Sequence, residues 1–105
     1  MEAIQITDDL YADHLRETTG GIVLFHKKLC PHCKNMAKVL EKLNAKRPEI
    51  RILHIDSEEN PKAMAALGVE RVPTLFIIKN GDVTAKHVGL LNPKETISLF
   101  DRSGV

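Results

Sequence analysis

Cys30 and Cys33 are the two cysteines of this 105-residue chain, and they stand three positions apart. They follow the apolar run Ile22-Val23-Leu24-Phe25 and open a helical pattern. Residues at i and i+3 of a helix share a face, so the two sulfurs can close a small disulfide ring with little backbone movement. Cys30 falls at the helix N-terminus, where unsatisfied amide N–H groups and the helix dipole favour a thiolate. A thiolate in that position is the nucleophile of thiol–disulfide exchange. The stretch Cys30-Pro31-His32-Cys33 therefore predicts electron transfer between protein disulfides. His32 lies in the first helical turn, where its ring can reach the Cys30 sulfur and stabilise the charged form. No acid occurs from Thr18 to Leu40, whereas His26, Lys27, Lys28, His32, Lys34 and Lys38 all fall there.

The bulk composition narrows the setting. A chain of 105 residues is enough for one domain, 1–105, with a core that needs no staples. The net charge of +1 and the four aromatic residues supply neither the basic footprint nor the stacking surface of a nucleic-acid binder. No run approaches the roughly 18 apolar residues that span a bilayer, and the start Met-Glu-Ala-Ile-Gln lacks the pattern of a signal peptide. Two cysteines are too few for a secreted disulfide scaffold, so a cytoplasmic monomer is expected.

Helical and strand patterns alternate along the chain. Ala3 to Ile6 reads as a short strand. Thr7 is the expected N-cap of a helix over Asp8 to Glu17, with Asp8 and Asp9 complementing its dipole and Gly20-Gly21 ending it. Ile22 to Phe25, apolar without alternation, suits a strand buried on both faces. A helix from Pro31 to about Lys46 follows, with Met36, Val39, Leu40 and Leu43 as its inner stripe and Pro48 preventing its continuation. Ile50, Ile52 and Ile55 mark the next strand. Asn60-Pro61 opens a short helix that stops at Gly68. Thr74 to Ile78 is another buried strand, joined through Asn80-Gly81 to Val83–Val88 as a hairpin. Asn92, Pro93 and Glu95 form a capped start for the last helix, ending near Arg102. The order β-α-β-α-β-α-β-β-α implies one mixed sheet, parallel in its N-terminal part and finished by the hairpin, with helices on both faces.

With Cys-x-x-Cys after the second strand and Val72-Pro73-Thr74 before the hairpin, this order resembles the thioredoxin family. The resemblance runs over essentially the whole chain, and residues 68–75, 79–82 and 88–91 are similar to thioredoxin segments in the expected sequence. It implies the thioredoxin fold and a protein-disulfide oxidoreductase in which Cys30 attacks and Cys33 resolves. It also implies a cis Pro73 beside the cysteines. Such a bond would turn the Val72 backbone outward to pair with an extended substrate, and Gly89 would allow close approach. The redox-active disulfide would be the only redox group, with no bound cofactor and no metal. Oxidised client proteins would be the substrates, and a thioredoxin-reductase-like donor would supply electrons.

Three departures from the family pattern bear on mechanism. Leu29 stands where thioredoxins carry Trp, which leaves a flatter, more aliphatic groove beside Cys30. Pro31-His32 replaces Gly-Pro and is the dipeptide of periplasmic disulfide oxidases. His32 should therefore raise the reduction potential, by roughly 30 mV for each unit by which the Cys30 pKa falls. Finally, Leu24 and Ile52 occupy the positions at which thioredoxins bury an Asp and a Lys. The base that deprotonates Cys33 is then His26, His32 or a water. His14, His54 and His87 are expected to be surface or strand residues without chemistry. Two other readings of Cys-x-x-Cys stand beside this one: a glutaredoxin-like enzyme using glutathione, and a metal-binding protein. The paired glycines of a glutathione site are missing after Pro73, and no second Cys-x-x-Cys completes a zinc site.

Overall fold

Apolar residues on both sides of the central strands divide the interior into two cores, and a five-stranded sheet separates them. The computed structural model describes residues 4–103. Its elements are β1 (Ile4–Ile6), α1 (Tyr11–Arg16), β2 (Gly20–His26), α2 (Pro31–Lys46) and β3 (Arg51–Asp56). They continue with α3 (Pro61–Ala66), β4 (Thr74–Lys79), β5 (Asp82–Val88) and α4 (Pro93–Arg102). The expected element order holds, and Ala3, placed in the first strand, lies outside the described residues. The strands lie in the order β1-β3-β2-β4-β5. β1, β2 and β3 run parallel, and β4 and β5 antiparallel to their neighbours.

Alternation explains why β2 reads as a continuous apolar run. Val23 and Phe25 enter a core with Leu15 of α1 and Ala63 of α3. Ile22 and Leu24 enter the other, with Met36, Leu40 and Leu43 of α2 and Phe100 of α4. Each face of the strand is therefore covered. The hairpin turn has positive φ at both central residues, 52° at Asn80 and 84° at Gly81, as a two-residue turn demands. Asn92 and Glu95 exchange side-chain and backbone hydrogen bonds in a full capping box.

Local expectations are corrected in three places. α1 begins three residues later than the sequence suggests, because Asp8 serves another helix. Its carboxylate accepts from the Lys62 and Ala63 amides at 3.2 and 2.8 Å, at the start of α3. Asn60 stands at the N-cap of α3 but its side chain does not cap it; Nδ2 donates instead to the Asp56 carbonyl at 2.9 Å. Gly20 and Gly21 do not end α1; they open β2. At Gly21 a Cβ would fall 2.7 Å from Thr18 Cγ2 and 2.8 Å from the Arg51 carbonyl oxygen, so the strand can pass only without a side chain. Gly21→Ala is expected to lower unfolding free energy by about 2 kcal/mol, in the range of overpacked cores, measured by urea denaturation.

Candidate active site

β2 leaves the sheet at His26, and four residues later the chain turns into α2 with Cys30 at the N-cap. Pro31 occupies the first helical turn, where its missing N–H costs no hydrogen bond. Cys30 and Cys33 are joined as a disulfide, with Cα atoms 5.2 Å apart. The Cys33 amide donates to Cys30 Sγ at 3.2 Å. The first turn of α2 contains no acid, so a Cys30 thiolate here would meet the positive end of the helix unopposed. Both cysteines are buried, Cys30 7% and Cys33 3% exposed.

The remaining expected residues fall into separate groups. His32 is exposed on the first turn of α2, and Leu29 is 90% exposed immediately before Cys30. Leu29, Cys30, Pro31 and Lys34 line a shallow cleft. The Val72–Pro73 bond is cis and Pro73 is buried. Thr74 pairs with Phe25 on one side and Val88 on the other, so Pro73 lies at the end of the sheet from which β2 runs toward the cysteines. The Gly89 amide donates to the Pro73 carbonyl at 2.9 Å, which ties Val72, Pro73 and Gly89 into one corner. Gly89 has φ of +100°, a conformation that favours glycine, and open space lies where a Cβ would project.

His26 belongs to a separate region, a cavity of about 340 Å³ beside Cys33. Leu24, Leu40 and Ile52 form apolar walls, and Lys27, Lys28 and Lys34 also line it. Leu24 and Ile52 are each 3% exposed, so the positions expected to lack the buried Asp and Lys are filled by packed aliphatic side chains. His26 Nε2 lies 2.9 Å from His54 Nδ1, and the half-buried rings form a hydrogen-bonded pair. Burial holds the His26 pKa below its ordinary value, against the opposing pull of the Asp56 carboxylate. The His54 pKa is lowered by burial and by the neighbouring His26.

His54 lies on β3, a strand residue as expected, and its ring is brought against His26. Leu24 pairs with His54, and His26 with Asp56, in the β2–β3 register. Side chains two apart on a strand share a face. His54 therefore follows Ile50 and Ile52 onto the α2 side of the sheet, just as His26 follows Ile22 and Leu24. The parity relative to those isoleucines was the available signal.

Among the described residues, no group of three or more His, Cys, Asp or Glu side chains is placed to hold a metal ion. None of the described helices is long and apolar enough to cross a membrane. The family model Thioredoxin matches residues 2–101. Thioredoxin of Bacillus subtilis is 35% identical over 100 residues, covering 92% of each chain. Thioredoxin of Chlamydia muridarum is 31% identical over 99 residues, covering 92% of this chain and 94% of its own. The solution structure of reduced desulfothioredoxin from Desulfovibrio vulgaris Hildenborough is 46% identical. It superposes with a TM-score of 0.83, covering 96% of this chain and 98% of that one.

Proposed function

This chain belongs to the thioredoxin family and is a thiol–disulfide oxidoreductase, and from that premise we propose that it reduces protein disulfides by a two-cysteine exchange. Cys30 thiolate attacks a client disulfide and forms a mixed disulfide. Cys33 then displaces the reduced client and closes the Cys30–Cys33 bond, so two electrons pass from the protein to the client. The observation that carries this reading is the Cys30 sulfur at the N-cap of α2, hydrogen-bonded to the Cys33 amide. Thioredoxins use their own disulfide as the redox group and need no external cofactor.

Client recognition falls to Leu29 and to the corner of Val72, Pro73 and Gly89. An extended client segment would pair with the Val72 backbone as an added strand, pass over Gly89 and lay an apolar side chain on Leu29. The exposure of Val88 and Leu90 on either side of Gly89 supports an apolar contact there. Pro31 and His32 set the thiolate character of Cys30, and His26 relays the proton of Cys33. A thioredoxin-reductase-like enzyme returns the electrons. Residues 1–105 act as one domain, in a cytoplasmic monomer.

Equilibration in graded dithiol buffers, with trapping of free thiols, tests the direction of flow. A single two-electron transition between roughly −270 and −200 mV is expected, with a protein disulfide reduced by the dithiol form. His32→Gln should move that midpoint down by tens of millivolts, at roughly 30 mV per unit of thiol pKa. A wild-type midpoint above roughly −200 mV would overturn the reductant reading, and an unmoved midpoint in the variant would remove His32 from the site.

A further inference from the structure

The Cys33 thiol must lose its proton before it can resolve the mixed disulfide, and the side chains around it limit where that proton can go. Leu24, Ala37, Leu40 and Ile52 in the cavity wall have no lone pair to offer. The lysines Lys27, Lys28 and Lys34 are donors only. Among the described residues lining the cavity, acceptor nitrogens remain on His26 and His54 alone. Asp56 stands beyond them, paired with His26 in register, and its Oδ1 accepts from the Glu58 and Glu59 amides at 2.9 and 3.4 Å.

Hydrogen bonding between the rings gives the pair a property that neither ring has alone. When His26 Nε2–H donates to His54 Nδ1, His26 Nδ1 is bare and His54 Nε2 carries a hydrogen. When the bond is reversed, the bare nitrogen is His54 Nε2. Each neutral arrangement thus offers one open nitrogen, and a proton entering at one ring can leave from the other. Deepening the exchange mechanism proposed above, we propose that the His26–His54 pair is a two-ring proton relay, reached through water in the cavity, that takes the Cys33 proton in place of a buried carboxylate.

The balance is simple. Cys33 S–H gives its proton to the pair, and the resulting thiolate attacks Cys30 Sγ. The Cys30–client S–S bond breaks, and the client leaves as a thiolate with both electrons of that bond. The proton then passes from the pair to the client thiolate or to bulk water. Asp56 partly offsets the positive charge while the pair holds it, and Lys27, Lys28 and Lys34 oppose that charge and hasten its release. A cavity of about 340 Å³ accommodates the connecting water.

Mixing reduced protein with dithiobis(nitrobenzoate) separates the two steps, because each releases one chromogenic thiolate. The first release reports Cys30 attack, and the second reports resolution by Cys33. His26→Gln and His54→Gln should each leave the first release within twofold. Both should slow the second at least tenfold, toward the hundredfold typical of a lost general base. In the unaltered protein the second release should slow on acidification as the pair takes up its proton, and that inflection should vanish in both variants. A second release unchanged in rate and pH profile in either variant would overturn the relay. Absence of the first release in the unaltered protein would overturn the exchange mechanism itself and the relay with it. Ring-nitrogen magnetic resonance of the unaltered protein provides a measure independent of substitution. Between about pH 8 and pH 5 the pair should take up one shared proton. Two independent titrations of His26 and His54 would overturn the relay.

Discussion

Cys33→Ser is expected to convert the protein from a catalyst into a trap. Cys30 remains at the N-cap of α2 with the helix amides around its sulfur, so attack on a client disulfide proceeds and the mixed disulfide forms. The loss lies in the second step. In the native chain the resolving thiol sits one helical turn away, at a Cα separation of 5.2 Å, and such tethering is equivalent to an effective thiol concentration of roughly 10⁵ M or more. Serine cannot take part in exchange, and an external thiol at millimolar concentration is a weak replacement. Turnover with a protein disulfide should therefore fall by at least about 10³, a conservative bound against the roughly 10⁸-fold ratio of effective to external thiol concentration. Intact-mass measurement should show the client covalently attached. Cys30→Ser should show neither turnover nor adduct, because Cys33 is deeper in the helix and lacks the N-cap position. If Cys33→Ser instead retained turnover with glutathione as reductant, the chemistry would be that of a monothiol enzyme, and the dithiol route would be wrong.

The features that are legible without the structure are those whose causes are local in sequence. The helix from Pro31 to Lys46 has its proline, its apolar stripe and its stop within a single stretch. The Asn80-Gly81 turn and the Asn92–Glu95 capping box are likewise set by neighbours a few residues away. The failures have distant causes. Nothing near Asp8 indicates that its carboxylate will be claimed by amides 54 and 55 residues downstream, and that contact delays the start of α1. Gly21 resembles a helix terminator in sequence, whereas its cause is the Arg51 carbonyl packed against it. The site divides in the same way. Cys30, His32 and Cys33 share one helical turn and can be read together. His26 and His54 are 28 residues apart and meet only through the parallel register of β2 and β3. Counting residue parity from Ile22 and Ile52 puts both rings on the α2 face, but the pairing of Leu24 with His54 needs the sheet.

That register also determines what a carboxylate would do if restored. Leu24→Asp is expected to destabilise the protein by about 4 kcal/mol, from a lost buried leucine and an added buried carboxyl group. His54, directly opposite Leu24 in the register, has its charged form disfavoured by burial and so gives little cationic offset. The sign of the pH dependence follows from the same desolvation. Burial holds the imidazoles of the native pair below their ordinary value. The unfolded chain therefore binds protons first on acidification, and native stability falls as the pH drops below about 6.5 toward the lowered folded values. The carboxyl group introduced by Leu24→Asp would be displaced the other way, above the ordinary aspartate value of about 3.9. The unfolded chain would then ionise first as the pH rises, and the stability deficit of Leu24→Asp should widen from about pH 4 upward until the folded carboxyl ionises. Urea unfolding of both proteins across that range provides the check, and a deficit independent of pH would mean that the new carboxyl had found solvent. A carboxylate facing Cys33 can also accept a proton. Adding Leu24→Asp to His26→Gln and His54→Gln should recover at least part of the slowed resolution step, with a new inflection at the raised carboxyl pKa. Such recovery, with lower stability, would make the aliphatic wall and the histidine pair one arrangement: proton acceptance sits at the rim of the cavity on rings that neutralise readily, and the strand interior carries no charge.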